Sequence, residues 1–353
     1  MNTQINRVEL LKKLVMAKPA VSAQSYIPIL SHFLFTGDAV TAYNDINAIT
    51  VLCDTGMQCC LPAELLIKTL SSIASEMVTL FKADNHVLLS AGRSKIKLPM
   101  LPVEDFPYTK KKSSKVLGSF NMTNTMLKGL KKCLIGVGND TAHPAAMGVT
   151  LDPFYSPTQA AFYSTDNVTL SRFVFNTDDE QHDPIIIPTF FCNQLLSLAE
   201  SDKNIHVEIY TGSLLAIFGD GTLLFTKTLA DLQPMDFTSV IGRYLSADGC
   251  KTFDIPDVFE QAIERALLIQ AAESFKNTTA TVANRKLLLE SVSKFGEARD
   301  EMSYNGEDVN FRIDPSRVKR ISQAVSKMAL LPNVMLFTSD DESYIHLVAH
   351  CSN

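Results

Sequence analysis

No stretch of this 353-residue chain is apolar for long enough to cross a membrane. The most apolar segment, IHVEIYTGSLLAIF, is interrupted well short of the ~20 residues a spanning helix needs. The opening MNTQINRVELLKK holds no apolar run of the kind that leads a secreted chain. Seven cysteines (Cys53, Cys59, Cys60, Cys133, Cys192, Cys250, Cys351) form no CxxC and no Cys/His pair at zinc spacing. This argues against a disulfide framework or a structural zinc and points to a reducing, cytoplasmic compartment. Basic charge is not in excess either. Lys plus Arg total 32 against 38 Asp plus Glu, a formal charge of −6, so the whole surface does not coat nucleic acid, although a local basic stripe remains open.

Catalytic signatures are equally scarce. The chain has no GxxxxGK[ST], HExxH or GxSxG, and no GxGxxG opening a helix after a strand. Gly136-Val137-Gly138 follows a helical pattern and reads as a helix-ending turn, while Gly219-Asp220-Gly221 sits between LLAIF and LLFTK as a hairpin turn. Asp178, Asp179, Glu180, His182 and Asp183 are hard-metal ligand types, but they fill a connection that must be polar anyway. His143 has no obvious Cys or Ser partner. No enzyme, cofactor or metal site is expected.

What the chain does have is enough apolar material for more than one core, 46% hydrophobic against 20% charged, and a length that allows two or three domains. A threefold repeat favours three. Pro62, Pro188 and Pro315 each open a helical pattern, at spacings of 126 and 127 residues, and each helix is followed by paired-strand sequence with turn residues at Asn85, Asp220-Gly221 and Asp340-Asp341. Each unit also begins with a helix, RVELLKKLVMAK, TNTMLKGLKKCLIG or IPDVFEQAIERALLIQAA, followed by β-rich sequence. Tyr43-Asn44-Asp45-Ile46-Asn47 and Tyr163-Ser164-Thr165-Asp166-Asn167 occupy the same place in two repeats. The lysine-rich run 110–115 reads as a linker, and a weaker break falls from Gly242 to Gly249. Expected domains are 1–117, 118–243 and 244–353.

Helical periodicity separates apolar stripes from basic faces. Val8, Leu11, Leu14 and Val15 are the expected core stripe of the first helix, with Lys12 and Lys13 outward. Leu127, Leu130 and Leu134 oppose Lys128 and Lys132, with Lys131 on the flank. In the last helix Val318, Ile321, Val325 and Met328 leave Lys319, Arg320 and Lys327 outside. Stacked repeats would gather these cations on one surface able to attract phosphate without reading bases. The helix carrying Glu260 and Glu264 dissents.

Ile27-Pro28-Ile29-Leu30, Ala91-Gly92-Arg93-Ser94-Lys95 and Leu101-Pro102-Val103-Glu104-Asp105-Phe106-Pro107, set in this repeat, resemble the bacterial DNA polymerase III β sliding clamp across nearly the whole chain. The resemblance implies an α+β fold of three clamp-type domains, helices on the inner face and antiparallel sheets outside, in a ring-forming head-to-tail homodimer. It implies a non-catalytic processivity factor that encircles duplex DNA and binds the replicative polymerase and clamp loader through short peptide motifs. Carried over residue by residue, the ring interface takes Phe106 and Tyr108 against Leu268 and Ile269. The peptide pocket takes Ala146, Thr165, Val168, Thr169, Leu170, Met235, Ser239, Val240, Ile345 and Leu347. Gln24 takes the place of a DNA-contacting arginine, Asn167-Val168-Thr169 stands where Gly-His-Arg is frequent, Met235 replaces a proline and Ser239 an arginine. Such departures suit a clamp matched to its own polymerase, as a virus-encoded one would be. The alternative is a clamp-fold scaffold that binds partner peptides without encircling DNA.

Overall fold

The computed structural model describes residues 2–22, 26–108, 115–177, 182–200, 204–228, 232, 234–235, 237–245, 251–321 and 324–351. Leaving aside short 3-10 turns, one plan recurs six times along it: a strand, a helix, then three antiparallel strands. Block one is β1 (Asn2–Asn6), α1 (Arg7–Ala17), β2 (His32–Thr36), β3 (Ala39–Tyr43) and β4 (Asn47–Leu52). Block two is β5 (Gln58–Pro62), α2 (Ala63–Ser72), β6 (Met77–Lys82), β7 (His86–Ala91) and β8 (Ser94–Pro99). Block three is β9 (Val116–Asn121), α3 (Asn124–Cys133), β10 (Gly148–Ser156), β11 (Gln159–Thr165) and β12 (Thr169–Asn176). Block four is β13 (Ile185–Pro188), α4 (Thr189–Leu198), β14 (Ile205–Tyr210), β15 (Ser213–Phe218) and β16 (Leu223–Lys227), after which α5 (Thr238–Leu245) stands outside the plan. Block five is β17 (Phe253–Asp254), α6 (Phe259–Ile269), β18 (Thr278–Ala283), β19 (Lys286–Ser293) and β20 (Gly296–Ser303). Block six is β21 (Val309–Ile313), α7 (Pro315–Lys319), β22 (Lys327–Leu330), β23 (Val334–Thr338) and β24 (Tyr344–Ala349).

Leading strands are exchanged within each pair of blocks. β1 pairs β6 while β5 pairs β2; β9 pairs β14 while β13 pairs β10; β17 pairs β22 while β21 pairs β18. Exchange knits two blocks into one third of the chain, so the threefold sequence repeat is at root sixfold. Final strands then join across thirds, β4 to β16 and β12 to β24, making two eight-stranded sheets. Two four-stranded sheets remain, β1-β6-β7-β8 and β20-β19-β18-β21, with β8 and β20 at their edges. The chain folds as two compact units, residues 1–123 with 193–231 and residues 124–192 with 232–353, each holding one sheet of each size. The expected cuts after residues 117 and 243 fall inside β9 and α5, and the break expected from Gly242 is helical to Leu245. The linker at 110–114 lies outside the described residues, as do Gln24 and the acidic residues 178–180.

Two helical stripes differ from the expected ones. α1, capped by the Asn6 side chain accepting from the Val8 and Glu9 N–H groups, buries Leu10, Leu14 and Ala17 and exposes Val8 and Val15. α3 buries Met126, Gly129, Leu130 and Cys133. The missing side chain at Gly129 is what admits Phe173, whose ring would lie 2.1 Å from a Cβ there. The last helix ends early: α7 stops at Lys319, and Lys327 and Met328 open β22, where Met328 pairs with Phe337. Lys327 is therefore a strand residue and not part of a helical basic face.

Candidate partner, nucleic-acid and subunit interfaces

The residues expected to meet a partner peptide lie in the second unit, with Leu170, Ile345 and Leu347 on the seam between β12 and β24. Thr165 pairs with Leu170 and Leu170 with Leu347, so three side chains stand abreast on three strands, with Ile345 two residues along from Leu347. Leu170, Ile345 and Leu347 share a cluster with Tyr163, Phe237 and Ile241. Phe237 stacks on Tyr163 at 5.1 Å, and Ile241 presents from α5. Val168, Met235, Ser239 and Val240 are exposed, whereas Ala146, Thr165 and Thr169 are buried. The result is an apolar floor with apolar and hydroxyl groups at its surface. Phe237 and Ile241 were missed as members, although their spacing of four beside Met235 is a helical signal.

Beneath that floor the alternate side chains form a polar layer. His346 faces Ser171 across the strands, with Nδ1 2.7 Å from the Ser171 hydroxyl, and the Tyr344 hydroxyl donates to the Lys132 carbonyl at 3.2 Å. Burial drives the imidazole pKa down to about 3, so His346 is neutral in the folded chain at physiological pH. Its unfolded counterpart takes up a proton below about 6.5. Its contribution to stability is therefore complete above that pH and is lost as pH falls toward the folded value, by about 2 kcal/mol at pH 5. Urea denaturation of the parent and His346→Gln across pH 7 to 4 should show a shallower decline in the variant; equal declines would contradict this assignment.

The cations are less uniform than their sequence positions suggest. Lys12, Lys128 and Lys131 are exposed and Lys13 is half-buried. Lys132 lies over the rings of Tyr344 and Phe173, 5.1 and 6.0 Å from their centroids. Lys319 pairs with Glu264 of α6 at 2.8 Å, and Arg320 donates to the Ile135 carbonyl at 2.5 Å.

Of the expected subunit contacts, Leu268 and Ile269 end α6, and Leu268 is 75% exposed. Phe275, Val292 and Phe295 of the same third are also largely exposed, and the Ser293 hydroxyl donates to the Ile269 carbonyl at 2.8 Å. Phe106 and Tyr108, the residues expected opposite them, pack largely within their own unit. Phe106 is 5% exposed and packs with Ile29, Leu30 and Cys60, while Tyr108 packs against Tyr43 at 5.0 Å and Phe225 at 5.9 Å. Phe106 is buried in the core of the first unit, and Tyr108 is half-buried against it. β8, the final strand of block two, is an edge strand of that unit, with Ile96 half-buried between exposed Lys95 and Lys97.

Burial pushes the Cys59 and Cys60 thiols up to about 11 and about 12, away from the thiolate that nucleophilic chemistry needs.

Six blocks paired by exchanged strands, four of whose final strands join across thirds while β8 and β20 do not, constitute the sliding-clamp fold. Solved structures agree. The sliding clamp of Bartonella birtlesii bound to griselimycin matches with a TM-score of 0.89 at 16% identity, and that of Pseudomonas aeruginosa bound to griselimycin with 0.86 at 18%, each over 100% of both chains. The DNA polymerase III β subunit of Thermotoga maritima matches with 0.85 at 15% identity over 100% of this chain and 99% of the other. In sequence, the β sliding clamp of Caulobacter vibrioides is 24% identical over 328 residues, 87% of this chain and 86% of the relative. No family model matches the chain. The chain is a homologue of the β sliding clamp, the β subunit of bacterial DNA polymerase III.

Proposed function

We propose that two copies of this chain close head to tail into a ring that encircles duplex DNA without reading its sequence and tethers a replicative polymerase. The observation that carries this is the pair of final strands, β8 and β20, that join no final strand of another third. Block one joins block four through β4 and β16, and block three joins block six through β12 and β24. The same step of three from block five leads to block two of a second copy, β20 against β8. Exposed Lys95 and Lys97 on β8 complement exposed Glu297 on β20, whose Glu301 is already paired with Lys286. The apolar group around Leu268 lies on the same third as β20. Two such heterologous contacts close a two-membered ring and cover edges that would otherwise invite uncontrolled strand pairing. Ile96 of β8 adds an apolar contact to that interface, beside Phe106 and Tyr108 of the same third.

In this assembly the thirds serve as domains, with their helices toward the hole, and processivity comes from topological linkage without a catalytic step. The polymerase and clamp loader dock through peptides at the Leu170, Ile345 and Leu347 floor, where buried anchors supply most of the affinity. Two structural relatives are bound to griselimycin, and we take this compound as a ligand for the cleft and use it as its probe. Met235 is exposed at the cleft's surface, so Met235→Lys should preserve the dimer and its DNA linkage while abolishing stimulation of the cognate polymerase. Unchanged stimulation would move the docking site elsewhere. One observation favours the scaffold alternative: Lys319 is already paired with Glu264, and Lys327 stands in a strand, which thins the basic face.

A further inference from the structure

The turn beside the partner cleft is tied down from another third of the chain. One Asp166 carboxylate oxygen accepts from the Thr169 N–H at 2.6 Å, the Thr169 hydroxyl at 2.8 Å and the Val168 N–H at 3.1 Å. The other oxygen is held by the Arg317 guanidinium of α7, 151 residues away. Arg317 Nε also lies 3.6 Å from Asp314, the residue that caps α7 by accepting from the Ser316 N–H at 2.9 Å. Both partners are sheltered, with side-chain exposures of 28% for Arg317 and 14% for Asp166. Burial alone would raise the Asp166 carboxyl, but the Thr169 bonds and Arg317 outweigh it and hold the group below the usual carboxylate range. At the far end of the turn the Val168 carbonyl accepts from the Ala349 N–H at 2.9 Å.

The corresponding turn in the first third shows that closure alone does not require a charge. There the Asn44 side-chain oxygen accepts from the Asn47 N–H at 2.8 Å and the Ile46 N–H at 3.1 Å. Asp45 is left-handed at φ 77°, as Asn167 is at φ 69°. A neutral amide thus builds the same local geometry. The carboxylate at 166 adds what the amide lacks, an ionic hold on a second element. Arg320, three residues beyond Arg317, grips the Ile135 carbonyl just after α3, so one short segment of the last third fixes two points of the middle third.

We propose that Arg317 is a positioning residue for the partner cleft: through Asp166 it fixes the Thr165–Thr169 turn and so sets where Val168 and Leu170 meet a partner's side chains. It rests on the partner-cleft reading above, and its test separates the two. Griselimycin affinity is measured by calorimetry for the full-length parent, Arg317→Ala, Arg317→Lys, Asp166→Asn and the Arg317→Ala/Asp166→Asn double variant, with amide hydrogen exchange at Val168 and Thr169. Each of Arg317→Ala and Asp166→Asn should weaken binding at least fivefold and speed exchange of both amides at least tenfold. The double variant should lose no more than either single change, because both remove one interaction. Arg317→Lys, which keeps the charge but not the planar fork, should recover part of the loss. A merely structural contact would lower the melting temperature of these variants and leave affinity unchanged; that result, with parent binding intact, overturns the proposal. Failure of the parent to bind griselimycin would instead count against the cleft reading, and unaltered exchange at Val168 and Thr169 would then overturn the grip of Arg317 on its own.

Discussion

Leu268→Asp is expected to yield a folded chain that no longer dimerises. The side chain stands at the end of α6 with three quarters of its surface exposed, so a carboxylate there costs the isolated chain almost nothing. In the proposed ring the same position faces the first third of a second copy. An unpaired carboxylate in such a desolvated contact costs several kcal/mol, and about 4 kcal/mol corresponds to about a thousandfold loss of affinity. Sedimentation velocity at micromolar concentration should show the parent as a dimer and the variant as a monomer with an unaltered circular dichroism spectrum. A variant that stays dimeric would remove α6 from the interface.

Replacing Lys12, Lys128 and Lys131 by alanine should produce the largest change in DNA binding. All three are exposed, and a two-membered ring presents each of them twice. Every phosphate contact contributes about 0.9 to the slope of log affinity against log salt, so losing six cations should flatten it by up to about 5. Lys319→Ala should change the slope much less, because its ammonium is already engaged by Glu264. A triple variant with the parent's slope would show that α1 and α3 do not face phosphate.

The sequence made the repeat, helix positions and hairpins legible because each rests on local signals. Pro62 caps α2 and Pro315 opens α7, and the Asp220-Gly221 turn lies where the flanking apolar alternation requires it. Facts set by tertiary packing were harder to read. Val8, Leu11, Leu14 and Val15 carry more apolar surface than Leu10, Leu14 and Ala17, yet α1 buries the latter set. Periodicity also carried the last helix too far, since Lys327–Leu330 are claimed by pairing with β23.

The two repeated turns illustrate a subtler shift. Matching Tyr43 to Tyr163 places Asn44 against Ser164, but the turn-closing acceptor equivalent to Asn44 is Asp166. β11 runs two residues further before its turn than β3 does, seven residues against five, so the tyrosine match and the turn match differ by two. For the site, Leu170, Ile345 and Leu347 were legible through resemblance, while Phe237 and Ile241 depended on α5, where a break was expected. Phe106 and Tyr108, expected at the ring interface, pack within the first unit, Phe106 buried and Tyr108 half-buried, because an aromatic pair there is well suited to closing that unit's core.

The central claim is topological, and one measurement addresses it directly: retention of the dimer on circular against linear duplex DNA of the same sequence and length, in high salt that suppresses simple ionic binding. A ring threaded by DNA stays on the circle and slides off the free ends, so the dimer, loaded by its own loader or by transient opening, should co-elute with the circular form and leave it when a single restriction cut linearises the circle. Equal retention on both forms, or on neither, would contradict an encircling clamp.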